Sequence, residues 1–449
     1  MTAHTVRPSS WREDIVGRLV RLARRRPDHP AVIDSAGEVS FRTLYTAAAR
    51  QADTLEKQTD HGVVVVPATP TADFYIQLCA AWLAGRTPLP LPAAAPSMLV
   101  DQAVRAVAGA HAGGCLAWKA VLSVDGNRQI PMVTHGESPI APRKALGLGL
   151  VPGGRALIAA PLHLNGPLEF SFRQLLLGGT VVITPSFTPQ RWLQAMHGHR
   201  PDWAFLVPTQ LQRVWDATDD EEIRRACTSL RLLLHSSAPC PPALRERLGG
   251  SLSPSRVAEY YGTTVYDGTF APYTSTEPGG APLPGAELRV VDRHGWPVPS
   301  GSDGFIEGRS RAGLITHPAD RPCPAAPAWH GVGDVGRRVG TSGRLLVTDV
   351  FAAPGRVIVA GVKVAVEDTR IVLAAHPGVD SCTVTAQPHP VFGSVLAAQV
   401  LALDPRLTAA DLRSWCARSL TSPQRPHFID LRVSSGVPAL AESQGEGHA

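Results

Sequence analysis

Lysine is scarce in this chain of 449 residues. Only Lys57, Lys119, Lys144 and Lys363 occur among 43 basic residues, so almost all positive charge is arginine. Those arginines are scattered, and the formal net charge is only +5. A nucleic-acid-binding stripe is therefore not expected. No apolar run reaches the roughly 18 residues that a membrane helix needs. The first residues lack the apolar centre of a signal peptide, which predicts a cytoplasmic protein. The seven cysteines are odd in number and form no C-x-x-C pair, so neither a zinc site nor a disulfide framework is indicated. His197-Gly198-His199 offers two imidazoles without further ligands, and no metal site is assigned.

What is present is a chain of 44% hydrophobic residues, too long for one ordinary core. A basic amphipathic helix opens it at 11–26. A hairpin at 31–41, a helix at 43–55, a buried strand at 63–66 and a helix at 74–84 follow, then a proline-rich turn at 88–96. From 156 to 261 strands (156–160, 180–184, 203–207, 230–235, 257–261) alternate with helices (169–177, 189–197, 208–217, 242–248). This alternation predicts a parallel sheet covered on both faces. Short strands at 287–292, 304–307 and 344–347 suggest a small barrel-like β subdomain. Beyond 349, strands at 356–359, 382–386, 395–403 and 428–433 interleave with helices at 368–376 and 408–420. The fold class is α/β: a large N-terminal domain (1–349) of sheets flanked by helices plus a small β subdomain. A small mobile α+β C-terminal domain (350–433) follows, and the polar tail 434–449 is expected to be disordered.

Several segments resemble one family. Pro161-Leu162-His163-Leu164-Asn165-Gly166-Pro167, the run WAFLVPTQLQ at 203–212, HSSAPCPP at 235–242, Tyr260-Tyr261-Gly262-Thr263-Thr264-Val265 and Val332-Gly333-Asp334-Val335-Gly336 are similar, in this order, to the adenylate-forming acyl- and aryl-CoA ligases. The likeness is strongest to those acting on fatty, bile or aryl acids. It implies ATP-dependent formation of an acyl-AMP, with Mg²⁺, and transfer of the acyl group to the thiol of CoA or phosphopantetheine. The implied partners are a small carboxylic acid or acyl thioester and a carrier protein. The resemblance places Tyr261, Gly262, Thr264 and Asp334 at the nucleotide, Tyr261 near adenine and Asp334 on the ribose. It places His163, Asn165, Gly166, Ser237 and Ala238 around the acyl group, Gly361 and Lys363 on the thiol tunnel, and Asp349 at the interdomain hinge. His163 is the one candidate catalytic group.

The chain departs from that pattern where charge matters most. Val265 stands in the place of a magnesium-linked glutamate, and Val350 in that of the hinge arginine. The phosphate loop at 134–139 holds Glu137 and Pro139 where small donors are expected, although 142–144 keeps a Pro-Arg-Lys. After Val437-Pro438 comes Ala-Leu-Ala-Glu rather than the Thr-Gly-Lys that would carry a catalytic lysine. Removing one preorganised charge donor costs about 10²–10³ in rate. Two further readings therefore stand beside a divergent ligase. One is a non-catalytic relative that binds an acyl, acyl-CoA or carrier-bound ligand or regulates a partner. The other is ATP-independent acyl transfer through the HxxxD pattern of His330 and Asp334.

Overall fold

The computed structural model describes residues 11–58, 62–110, 117–125, 128–135, 142–264, 266, 268–276, 278–310, 314–316, 329–340, 343–350 and 355–433. The phosphate-loop positions 136–139, Val265 and the tail 434–449 lie outside them.

A nine-stranded sheet forms the centre of the large N-terminal domain. Its order is Ala281–Pro282, Thr269–Pro272, Val257–Tyr261, Leu232–His235, Trp203–Leu206, Arg155–Ile158, Thr180–Ile183, Pro30–Asp34 and Gly37–Ser40. The six central strands run parallel, and antiparallel pairs close both ends. Side chains alternate between two cores, as pleating requires. Ala156, Ile158, Trp203, Phe205 and Leu234 face one core with Phe74, Trp82 and Phe172. Leu157, Ala204, Leu206 and Leu233 face the other with Trp192, Leu211 and Trp215. Helices on both faces explain why these strands read as unbroken apolar runs.

The expected elements agree with the structure in kind, with shifted ends. Local chemistry sets the limits of the helices. Ser40 caps Phe41–Glu56 through Thr43 N at 3.2 Å. Thr188 caps Pro189–His199 through Arg191 N, with proline at the first turn. The helix expected at 169–177 begins earlier, at Asn165, because Pro167 falls in a first turn whose N–H groups have no intrahelical partner.

One expectation is corrected outright. The proline-rich stretch at 88–96 opens with a buried parallel strand, Thr87–Leu91, paired with Val63–Pro67. Pro88 and Pro90 are two residues apart, so their missing N–H groups fall on one edge of a two-stranded sheet. Proline is tolerated there. A helix at Ser97–Ala110 and a three-stranded sheet of Lys119–Asp125, Arg128–His135 and Leu314–Thr316 lay in stretches the sequence left unassigned.

The β subdomain is a four-stranded antiparallel sheet: Ala286–Val291, Gly304–Ser310, His330–Val339 and Arg344–Asp349. The smaller C-terminal unit is α+β. It holds a hairpin, Arg356–Val359 with Val362–Ala365, and a sheet of Val379–His389, Gly393–Ala402 and Phe428–Val433, packed by helices Val366–Ala374 and Ala409–Ala417. No helix among the described residues is long and apolar enough to cross a membrane.

Candidate active site

The carboxyl ends of the parallel strands open onto one crevice, where ligands gather in sheets of this kind. Ala160, Pro161 and His163 follow the strand Arg155–Ile158, and Val207 follows Trp203–Leu206. Ser236 and Ser237 follow Leu232–His235, and Gly262 follows Val257–Tyr261. All of them line one or both of two adjoining cavities.

The first cavity, about 430 Å³, lies between the sheet end and the β subdomain. Ser237, Ala238, Tyr261, Gly262, Asp334 and Val350 line it, with Arg245 and Glu259 at one side. Asp334 is 1% exposed. Its Oδ2 accepts a hydrogen bond from the Tyr261 hydroxyl at 2.8 Å, and Tyr266 shares that hydroxyl at 2.8 Å. Burial, with these two neighbours, raises the Tyr261 phenol well above its ordinary value, so it stays a neutral donor. Gly262 is required sterically: a Cβ there would lie 2.1 Å from the Tyr260 hydroxyl. Arg245 pairs with Glu259 at 2.9 Å and lies over the Tyr273 ring at 4.0 Å.

The second cavity, about 360 Å³, runs inward beneath the helix Asn165–Leu176. Phe170 and Phe205 line it, and Phe170 also meets the Tyr260 ring edge-on with centroids 5.8 Å apart. His163, Asn165, Gly166, Gln210 and Thr264 supply polar atoms. Burial lowers the His163 imidazole to about 4, so it is neutral near pH 7. Gln210 is held in place, accepting from Val207 N at 3.1 Å and donating to Ala159 O at 3.1 Å.

Behind this cavity lies a polar cluster that the sequence did not disclose. Lys119, 1% exposed, donates to Asn165 Oδ1 and Glu169 Oε1, and Arg173 reaches Glu169 Oε2 at 3.1 Å. The scarcity of lysine was the one available hint at Lys119. Its partners are 46 and 50 residues away.

The C-terminal unit completes the second cavity. Ala360–Lys363 and Thr421–Pro423 form part of its wall. Ala360 (φ 50°) and Gly361 (φ 82°) make the two-residue turn between paired Val359 and Val362, with the left-handed backbone of a tight hairpin. Gly361 packs on Val207 of the large domain; a Cβ there would lie 3.1 Å from Val207 Cγ1. The turn aims Lys363 at Asp334, with Nζ to Oδ1 at 3.8 Å. Thr421 and Gln424 fix the second wall segment, with Thr421 Oγ1 donating to Gln424 Oε1 at 2.7 Å.

The site residues named from the sequence thus divide between the cavities. Tyr261 and Asp334 line the first cavity, and His163, Asn165, Gly166 and Gly361 the second. Ala238, expected at the acyl group, lines the first; Thr264, expected at the nucleotide, lines the second. Ser237, Gly262 and Lys363 line both. Asp349 ends its strand on the exposed surface. His330 lines neither cavity. His197 pairs with Glu222 at 2.7 Å.

Residues 132–312 match the AMP-binding enzyme family, and residues 371–439 match the AMP-binding enzyme C-terminal domain; together they cover more than half the chain. The chain is 28% identical to a 2-succinylbenzoate–CoA ligase of Bacillus licheniformis over 64% of its own length and 60% of that protein's. It is 27% identical to a feruloyl-CoA synthase of an Amycolatopsis species over 94% of its length and 88% of that protein's. The o-succinylbenzoate CoA synthetase of Bacillus subtilis, solved with a product analogue, has the same fold: TM-score 0.76 and 19% identity over 94% of this chain and 96% of that one. With two characteristic segments in the expected order on that architecture, the chain belongs to the adenylate-forming superfamily of acyl- and aryl-CoA ligases.

Proposed function

We propose that this protein activates a carboxylic acid with ATP as an acyl-adenylate and passes the acyl group to a thiol. The observation that carries the reading is the meeting of two cavities at Ser236, Ser237, Tyr260 and Gly262. The first has a buried carboxylate, Asp334, and a tyrosine, Tyr261, suited to a ribose and an adenine. The second has an aromatic lining suited to an acyl chain, with the polar groups of His163, Asn165 and Gln210 and the charged Glu169 and Lys363 around it. Its volume of about 360 Å³ fits an aryl or short acyl group better than a long fatty chain.

Acid activation asks the protein mainly for positioning and charge neutralisation. Asp334 would hold the ribose hydroxyls, and Phe170 and Phe205 the acyl body. The hairpin turn and 421–423 would guide the thiol, with rotation about the Asp349 region between the two half-reactions. Mg²⁺ would accompany ATP and neutralise its phosphates. Among the described residues no cluster of three His, Cys, Asp or Glu side chains forms a metal site, and no step is assigned to the metal. CoA is the acceptor named for both curated relatives. A carrier protein is the alternative, since an adenylation domain of Klebsiella oxytoca, artificially fused to a PCP domain, shares the fold (TM-score 0.76).

A second reading, a non-catalytic binder of acyl thioesters, is favoured by one feature: Asp334 is already engaged by Tyr261 and Lys363. Calorimetry with ATP and Mg²⁺, and pyrophosphate release across a panel of aryl and short-chain acids, separates the two. Submillimolar ATP affinity with acid-dependent pyrophosphate release is expected. Acyl-CoA binding with silence toward ATP supports the binder.

A further inference from the structure

The second cavity has a charged wall that a plain hydrocarbon acid would not need. Glu169 lines it, and the same helix presents Asn165 to it one turn earlier. Neither residue lines the first cavity, so both lie away from the boundary that the cavities share. The other charged lining residue, Lys363, sits at that boundary. Lys119 and Arg173 hold Glu169 from behind and do not line the cavity. Lys119 donates to Oε1, and Arg173 donates to Oε2 at 3.1 Å. The carboxylate is thus fixed between two cations, with its side chain still 10% exposed.

Asn165 is oriented by the same lysine. Its Oδ1 accepts from the Lys119 ammonium, which can only donate, so the amide cannot be turned over. Its Nδ2 group, with two N–H donors, has no hydrogen-bond partner among the described residues.

We infer that Asn165 and Glu169 are specificity-determining residues that select an acid with a hydroxyl group on its body, Asn165 Nδ2 donating to the hydroxyl oxygen and the Glu169 carboxylate accepting from the hydroxyl. The inference rests on the second cavity being the acyl site of the proposed function. Lys119 and Arg173 are positioning residues that act through this pair. Other substituents fit less well. A second carboxylate would face the carboxylate of Glu169, with the cations behind it. An ammonium would find that carboxylate already neutralised. A bare ring would strip solvent from both side chains and return no hydrogen bond. A hydroxyl donates and accepts at once, and a phenol stays neutral near pH 7. His163, neutral through burial, adds no charge that would favour an anion.

The test compares the full-length parent with Asn165→Leu and Glu169→Gln. The acids are benzoate, its three monohydroxy isomers, the benzenedicarboxylates and the aminomethylbenzoates. Pyrophosphate release gives kcat/KM for each acid, and calorimetry gives the Kd of benzoyl-CoA and the hydroxybenzoyl-CoAs. The readout is the ratio of a hydroxylated acid to benzoate within one protein, which a general loss of stability does not move. In the parent, at least one hydroxybenzoate should exceed benzoate by about tenfold or more, and the doubly charged acids should fall below benzoate. Asn165→Leu should bring the ratio to within about threefold of unity, and Glu169→Gln should lower it about three- to tenfold. Three results would overturn the inference. They are a smaller parent ratio for every isomer, a dicarboxylate or aminomethyl acid preferred to every hydroxybenzoate, and a parent-like ratio in Asn165→Leu. The first two are read on the parent and stand even if neither variant folds. A parent that releases no pyrophosphate with any acid sinks the adenylation reading alone. The hydroxyl preference is then decided by the thioester Kd values, where equal binding of benzoyl-CoA and every hydroxybenzoyl-CoA overturns it.

Discussion

The two cavities share a boundary but are supported differently. The second is buttressed from within the large domain. Asn165, one of its lining residues, is tied to Lys119, and Lys119 to Glu169 and Arg173, all inside one packed unit. The first depends on a contact between units, because Asp334 of the β subdomain meets Lys363 of the C-terminal hairpin. The braced inner end of that cavity lies within the large domain, whereas its wall at 360–363 and 421–423 belongs to the smaller unit. A carboxylate held from across a boundary changes its surroundings whenever that unit moves. Under the proposed function, choice of acid would rest on the braced inner end, and charge handling on the boundary between units.

Breaking the brace should have the largest effect. Lys119→Met removes two charge-assisted hydrogen bonds, to Asn165 Oδ1 and Glu169 Oε1, while Glu169 keeps Arg173, and is expected to destabilise the protein by about 3–5 kcal/mol. A lowered thermal midpoint checks it. Acidification should act next, through a group outside the boundary contact. His235 is fully buried, its Nε2 lies 2.8 Å from the Tyr273 hydroxyl, and burial lowers its imidazole to about 3. The unfolded chain therefore binds a proton that the folded one refuses. Stability should be constant above the unfolded value near 6.5 and fall as pH drops toward 3, by on the order of 3 kcal/mol. His235→Gln should flatten that slope in denaturation measured from pH 7 to 4.

Asp334→Asn probes the boundary between units. It keeps an acceptor for Tyr261 but removes the charge facing Lys363, and AMP affinity should weaken about 10–30-fold, or ~1.4–2 kcal/mol, by calorimetry. An equal loss of acyl-CoA affinity would erase the contrast between the cavities. The smallest effect is expected from Gly361→Ala, which forces a side chain into a left-handed turn at a cost of about 1 kcal/mol. Faster hydrogen exchange in the hairpin, with exchange in the large sheet unchanged, would register it.

The sequence revealed much of this because strand and helix periods are local. The strands near 156, 180, 203, 230 and 257 could be read from short apolar runs, and the sheet binds them in parallel as expected. Thr87–Leu91 was missed because its prolines argue against a strand unless an edge is available, and an edge is a tertiary fact. The three-stranded sheet was missed because Leu314–Thr316 joins a strand about 180 residues earlier in the chain. At the site, His163, Asn165, Asp334 and Lys363 could be named from motif resemblance. The Tyr261–Asp334 bond spans 73 residues and the Lys119–Glu169 pair 50, and no local pattern marks either.

The turn at Ala360 and Gly361 has one more consequence. Under the proposed function it would make a wall of the acyl chamber detachable: were the small unit to swing away, the chamber would lose a side and its contents gain a way out. Release of a finished thioester would then need no separate gate, because the segment that would steer the thiol inward would also be the door.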